Sequence, residues 1–105
     1  MKGMIKWQIV TIGKITTLTC QAKGNPQPDA VWFKNGQKIN ENSKVKISAS
    51  VSEEKLLSTT LTIRDIEYDD KGFYKCEFRN TLGIVNSTGT LLVYGKLENC
   101  LKYYL

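Results

Sequence analysis

The chain has 105 residues, 41% of them hydrophobic and 24% charged, which fits one globular domain with a modest core. Its formal net charge is +5, but the basic residues are scattered among ten acidic ones. Because no basic run or base-stacking motif is present, this charge does not indicate binding to nucleic acid. No apolar run approaches the roughly eighteen residues of a membrane-spanning helix, so we expect no insertion into a membrane.

The N-terminal segment, residues 1–7, is too short and too charged to be a secretory signal peptide. We therefore expect either the mature form of a secreted chain or an intracellular protein. Apolar side chains alternate over residues 1–12 with a shift of one position, which favours an edge strand with a register break. These side chains are Ile5, Trp7, Ile9, Val10 and Ile12.

Short strands and turns are predicted in alternation through the first half of the chain. Residues 15–22 carry small and aliphatic side chains at every second position, which predicts a half-buried strand. Residues 24–28 hold both prolines, which exclude a central strand and predict a loop. Residues 30–34 form the next predicted strand, and Asn35-Gly36 after it is the strongest hairpin signal in the sequence.

The second half repeats this pattern. Val45 and Ile47 alternate in one predicted strand, and residues 57–63 form a longer one. A hairpin turn at residues 80–83 precedes the final strand, which ends near residue 94. Seven or eight short strands without a helical period predict an all-β fold, an antiparallel sandwich of two sheets.

The most specific motif is D-x-G-x-Y-x-C, which begins at Asp70 and ends at Cys76. This spacing predicts a turn that leads directly into a strand. Gly72 tolerates the backbone angles of a tight corner. Period-2 geometry then sends Tyr74, Cys76 and Phe78 to one face of the strand.

Together with Cys20 and Trp32, this motif resembles the immunoglobulin fold, a Greek-key sandwich. The proline-containing loop and the W-F-K-x-G segment after it are similar to the intermediate set (I-set) of that superfamily. We therefore expect an immunoglobulin-like I-set domain over residues 1–94 and a C-terminal tail or linker over residues 95–105.

Three cysteines are present, an odd number. In the fold that the sequence resembles, Cys20 and Cys76 face each other across the two sheets. A disulfide there would close a loop of about 57 residues and stabilise the fold by about 4 kcal/mol in the chain-entropy model. We expect this bond; the alternative is two reduced core thiols, as in intracellular relatives. Cys100 remains, as a free thiol outside the fold or as a bond between chains.

The resemblance implies structural roles for further residues. Trp32 should pack on the cysteine pair, and the Tyr74 hydroxyl should bond to backbone a few residues upstream. Asp70 is expected to pair with Lys44, and a separation of their charged atoms beyond about 4 Å would contradict this pairing. The expected structural core residues are Trp32, Leu61, Asp70, Gly72 and Tyr74.

Residues 95–105 have a different pattern from the rest of the chain. Their apolar side chains have helical spacing: Leu97, Cys100, Leu101, Tyr104 and Leu105. A segment this short is marginal as an isolated helix. We expect a loose tail, with a docked helix as the alternative.

The sequence holds no recognisable catalytic or metal-binding set. It contains no histidine, the commonest general base and a common zinc ligand. No glycine-rich phosphate loop or paired-carboxylate motif is present either. We therefore expect no enzyme activity, no metal and no cofactor.

Asn86-Ser-Thr88 is the only N-glycosylation sequon in the chain. If the strand buries Leu91 and Val93, Asn86 points outward, where it could carry a glycan. A short sequon also arises by chance, so this motif favours a secreted protein without establishing one.

Several apolar residues are expected to face outward on three strands that are neighbours in the immunoglobulin fold. An apolar patch there would be a candidate interaction face, unless lysine stems or a neighbouring domain cover it. Its residues are Val31, Phe33, Phe73, Ile84, Leu92 and Tyr94.

Two groups of I-set proteins share the residues of the resemblance. Residues 60–64, the D-x-G-x-Y-x-C motif and the turn at 80–83 are similar to domains of lachesin-like adhesion proteins. Titin and twitchin share the tryptophan, the motif and the turn. The cysteine pair and the sequon favour the surface group, whereas the missing signal peptide and the third cysteine favour the muscle group.

The resemblance therefore implies a non-enzymatic protein-interaction module of a cell-surface adhesion molecule or receptor, in an extracellular or cell-surface location. Its partners would be proteins, bound homophilically or heterophilically, or neighbouring domains of the same chain. The alternative is a structural I-set domain of a cytoplasmic muscle protein in the sarcomere.

Overall fold

The computed structural model describes residues 8–95, which form eight strands and one short 3₁₀ helix at Tyr68–Asp70. The strands are β1 (Gln8–Thr11), β2 (Thr16–Lys23), β3 (Asp29–Lys34), β4 (Gln37–Lys38), β5 (Val45–Val51), β6 (Leu56–Ile63), β7 (Gly72–Asn80) and β8 (Gly83–Tyr94). The predicted sandwich is confirmed. The expectations for Ile5, Trp7, Cys100 and the helical stripe of the tail lie outside the described residues.

Two sheets face each other across the core. One has five strands in the order β1-β8-β7-β3-β4, and the other has three in the order β2-β6-β5. All neighbouring strands are antiparallel except β1 and β8, which pair in parallel, with Ile9 opposite Leu92. The edge strand expected at the N-terminal end is therefore β1.

The predicted hairpin at Asn35-Gly36 joins β3 to β4. Both residues have positive φ angles, 49° and 85°, as the tightest hairpin turns require. The Asn35 side chain also accepts a hydrogen bond from the Phe73 N–H at 2.9 Å. The turn thereby holds the first residues of β7 beside the end of β3.

The predicted turn between β7 and β8 is held by Asn80. Its Oδ1 accepts a hydrogen bond from the Leu82 N–H at 2.8 Å, inside the turn. Its Nδ2 donates to the carbonyl oxygen of Pro26 at 2.9 Å, across a sequence separation of 54. One side-chain amide thus joins the turn to the proline-containing loop.

β2 and β6 form one wall of the core. Buried residues alternate strictly with exposed ones in β2 and with half-buried ones in β6. Cys20 and Cys76 are bonded across the sheets and fully buried. Trp32 lies opposite Cys76 in the β3–β7 pair and is 1% exposed. Leu61 is fully buried on β6.

A polar link runs through this apolar core. The Trp32 Nε1–H donates to Thr59 Oγ1 at 3.0 Å, and the Thr59 hydroxyl donates to the Ser48 carbonyl oxygen at 3.1 Å. A buried indole N–H without an acceptor is costly, and Thr59 supplies that acceptor. Thr59 shares the buried face of β6 with Leu57, Leu61 and Ile63.

The corner before β7 joins three parts of the chain. The Tyr74 hydroxyl donates to the Asp70 carbonyl oxygen at 2.5 Å. The Lys44 ammonium lies 2.8 Å from the Asp70 carboxylate and 3.7 Å from that of Glu67. Both the expected backbone bond of Tyr74 and the expected ion pair are therefore present.

Gly72 has a second reason to be glycine besides the turn. Its φ is +148°, and a Cβ placed there would lie 2.8 Å from the Asn35 side-chain oxygen. Because that oxygen holds the Phe73 N–H, any larger residue would displace the link between the two strands.

We expect Thr59→Val to destabilise the fold by about 1–3 kcal/mol, because it leaves the buried indole N–H unpaired while nearly preserving shape. Urea denaturation measures the effect. Thr62→Val, on the outer face of the same strand, is the matched control and should cost much less. Equal losses in the two variants would contradict the role given to Thr59.

The corner also predicts how stability depends on pH. Its hydrogen bond to Asp70 raises the pKa of the Lys44 ammonium above the ordinary 10.5. Burial, and then the charge of Asp70, raises the pKa of the Tyr74 phenol above the ordinary 10.0. Both groups therefore hold their protons more tightly in the folded chain than in the unfolded one, so their contribution is complete below about pH 10 and falls as the pH rises further.

Thermal unfolding between pH 7 and pH 11 tests this expectation. Tyr74→Phe should lower stability at pH 7, because the bond to Asp70 is lost, and should make the decline above pH 10 shallower. Tyr68→Phe, at an exposed ring, is the control. A decline in Tyr74→Phe as steep as in the unsubstituted chain would contradict the assignment.

Candidate protein-interaction face

The outer face of the five-stranded sheet carries every residue expected in the interaction patch. Trp32, Tyr74 and Leu91 point into the core, so alternation turns their strand neighbours outward. The register then places side chains of neighbouring strands side by side, as with Phe33 and Lys75. The six expected residues on this face are Val31, Phe33, Phe73, Ile84, Leu92 and Tyr94.

These residues differ in exposure. Phe73 is 62% exposed, Ile84 59%, Tyr94 56% and Leu92 40%. Val31 and Phe33 on β3 are less exposed, because both side chains are half-buried. The first four thus offer more apolar surface to a partner than the two residues of β3 do.

Four side chains gather where β8 ends; we call them the end cluster. They are Ile9, Phe73, Leu92 and Tyr94. Ile9 lies opposite Leu92 in the β1–β8 pair, and Phe73 lies opposite Thr90, two positions from Leu92. The alternation in β1 marked Ile9 as apolar, but only the parallel pairing places it in this cluster.

A polar band on β7 and β8 separates the end cluster from Ile84, whereas Phe33 lies opposite Lys75, two positions from Phe73. It consists of Lys75, Glu77 and Arg79 on β7 and Asn86, Thr88 and Thr90 on β8, in which Lys75 pairs with Thr88 and Glu77 with Asn86. Arg79 donates to the Glu77 carboxylate at 2.7 Å. Ile84 is therefore set apart from the end cluster on this face.

A lysine side chain covers part of the face, which the sequence analysis gave as the alternative to an open apolar patch. The Lys75 ammonium lies 4.6 Å from the centroid of the Phe33 ring. This contact combines a cation–π attraction with packing of the aliphatic stem. It shields Phe33 and leaves the end cluster open.

Asn86 is exposed within the polar band, opposite Glu77. Leu92 is six positions further along the same strand, a distance of about 20 Å. A glycan on Asn86 would therefore stand over the polar band and near Val31, whose β-pair partner is also Glu77. The end cluster would stay accessible.

Within residues 8–95, no group of three or more potential metal ligands occurs. The same residues contain no helix long and apolar enough to cross a membrane. What the face offers chemically is shape and contact area, with an ion pair and hydroxyl groups beside the apolar side chains.

Comparisons with known proteins agree on one protein family. The family model described as immunoglobulin I-set domain matches residues 1–93. Vascular endothelial growth factor receptor 1 of Rattus norvegicus is 36% identical over 86 residues, which are 82% of this chain and 6% of the receptor. Muscle M-line assembly protein unc-89 of Caenorhabditis elegans is 35% identical over 91 residues, 85% of this chain and 1% of that protein.

Solved structures agree with these matches. The titin M4 structure superimposes with a TM-score of 0.73 at 27% identity and covers 86% of this chain and 88% of its own. The chain spans only a small fraction of the curated relatives that it matches. The similarity is therefore to one part of much longer proteins.

Proposed function

This chain belongs to the immunoglobulin I-set family, and on that basis we propose that it is a non-enzymatic protein-binding module of a cell-surface adhesion molecule or receptor. The observation that carries the proposal is the end cluster, four large apolar side chains exposed together on a rigid sheet. Scattered exposed apolar residues are normal, whereas a contiguous group is typical of an interaction site. Residues 1–94 form the binding module, and residues 95–105 its tail or linker.

Binding on this face proceeds by complementarity, without chemical turnover. Phe73 and Tyr94 supply the large, rigid contact area that dominates binding energy at protein interfaces. The neighbouring polar band supplies the polar, solvent-accessible rim that surrounds the buried centre of such an interface. Because β7 and β8 lie inside the sheet, these side chains are already in place before a partner arrives.

A cell-surface or extracellular setting is supported by the bonded Cys20–Cys76 pair, since disulfides persist in oxidising compartments. The exposed sequon at Asn86 is compatible with it, because a glycan there would leave the end cluster free. The likeness to a growth factor receptor points in the same direction. The partner is a protein, either a second copy or a different molecule.

The second candidate is a structural domain of an intracellular muscle protein in the sarcomere. The similarity to unc-89, at nearly the same identity as the receptor, favours it. In that setting Cys20 and Cys76 would stay reduced, and a neighbouring domain of the same chain would cover the end cluster. The two candidates thus differ in the redox state of the core and in the occupant of the face.

Photocrosslinking in the natural full-length protein, in its own cells, tests the binding face. A photoreactive phenylalanine analogue at Leu92 should give a crosslinked protein adduct that mass spectrometry identifies. Phe73→Asp should abolish the adduct, because it places a charge in the apolar contact. Ile15→Asp is the matched control, since Ile15 is 60% exposed but lies outside the face. An adduct that survives Phe73→Asp would contradict the proposal.

A count of the free thiols among Cys20, Cys76 and Cys100, by mass spectrometry of denatured, unreduced protein from its natural source, separates the two candidates. One free thiol per chain is expected for the surface protein, with Cys20 and Cys76 bonded and Cys100 free. Three free thiols would favour the muscle protein. None would mean that Cys100 is capped or joins two chains.

A further inference from the structure

The sheet edges of this domain are unequal. In the five-stranded sheet, the edge strands β1 and β4 have only four and two residues. In the three-stranded sheet, the eight-residue edge strand β2 is covered only at its start, by the Gln8 side chain, which donates to the Thr17 carbonyl oxygen. The opposite edge of this sheet, β5, has seven residues and pairs only with β6. A long open edge is a template for another strand.

The first half of this edge is closed by side chains of the preceding loop. The Val45 N–H donates to Asn42 Oδ1 at 2.9 Å, and the Ile47 N–H donates to Glu41 Oε1 at 2.8 Å. The backbone N–H groups of alternate residues in a strand share a direction, so those of Ala49 and Val51 point away from β6 as well. No side chain within the described part of the chain caps these two groups.

The open half of β5 has a self-complementary sequence. Residues 47–51 read Ile-Ser-Ala-Ser-Val, which is apolar, serine, alanine, serine, apolar in either direction. In an antiparallel pair about Ala49, Ile47 would therefore lie opposite Val51 of the other strand, and Ser48 opposite Ser50. Each face of such a pair joins side chains of the same kind, all small enough to fit.

We propose that β5 pairs antiparallel with β5 of a second copy of this chain, about a twofold axis at Ala49. The two Ala49 residues exchange two backbone hydrogen bonds. Each Val51 N–H reaches the Ile47 carbonyl oxygen of the other copy and adds one more bond per chain. In the same residue pair the Val51 carbonyl oxygen of the other copy replaces Glu41 Oε1 as the acceptor for the Ile47 N–H, so the Glu41 side chain moves aside on pairing. Val51, which is 49% exposed, becomes covered.

Charge supports a second copy as the occupant. Lys46 lies opposite position 52 of the other strand in this register, so the two Lys46 side chains stay about 20 Å apart. The turn after β5 carries Glu53 and Glu54, both exposed. The pairing brings this acidic turn of each copy beside Lys46 of the other, where opposite charges attract.

This contact lies on the edge of the three-stranded sheet, away from the end cluster. It is therefore independent of the proposed binding face, and the two fail separately. A five-residue contact is small, so the dimer is weak in solution and gains strength where many copies are held on one surface.

Sedimentation velocity of the 105-residue chain over a wide concentration range tests the pairing, with Cys100→Ser throughout to exclude disulfide dimers. The parent should dimerise as concentration rises. Ala49→Lys and Ala49→Glu should each weaken the dimer about fivefold or more, because they place like charges opposite each other at the axis. An equimolar mixture of the two variants should restore dimers, because a lysine of one copy then meets a glutamate of the other across the axis. Thr17→Lys, on another strand of the same sheet, should leave the dimer unchanged.

Amide hydrogen exchange provides a readout without substitutions: protection of the Ala49 and Val51 N–H groups should rise with protein concentration. The pairing is overturned if the chain stays monomeric at every concentration, or if both charged variants dimerise like the parent. It is also overturned if Phe73→Asp removes the dimer while Ala49→Lys does not, since the face would then be the contact. Circular dichroism confirms that each variant is folded.

Discussion

The buried connection between the two sheets determines the rest of this structure. Cys20 and Cys76 join β2 to β7 at the centre of the sandwich, and the buried Trp32 lies opposite Cys76 on β3. The indole N–H then needs an acceptor inside an apolar core, and Thr59 on β6 provides it. The disulfide, the indole ring and the Thr59 hydroxyl thus hold the two sheets in one relative position. With the buried positions fixed in this way, the alternate side chains of each strand point outward.

Much of the fold could be read from the sequence because its signals are local. Alternation in β2 and β6, the Asn35-Gly36 turn and the D-x-G-x-Y-x-C motif each act over a few residues. What could not be read depends on contacts between distant segments. Gly72 was expected at a corner, but its close approach to Asn35 arises only when β3 and β7 are neighbours.

The same reason limited the prediction of the interaction face. Alternation within each strand identified which residues point outward, and all six lie on the expected sheet. Their arrangement depends on the relative register of β1, β7 and β8, which the sequence of one strand does not contain. That register interposes the polar band, adds Ile9 to the end cluster and brings Lys75 over Phe33. The sequence therefore identified the outward apolar residues but not which of them are neighbours on the surface.

The Asn80 side chain also matters for protein engineering. It ties the β7–β8 turn to the loop before β3, so these two connections behave as one unit at that end of the sandwich. A binding loop grafted into either connection would keep its designed shape only if residue 80 and the Pro26 carbonyl were retained. Libraries that randomise the turn should therefore begin after Asn80 and leave the proline-containing loop at its natural length.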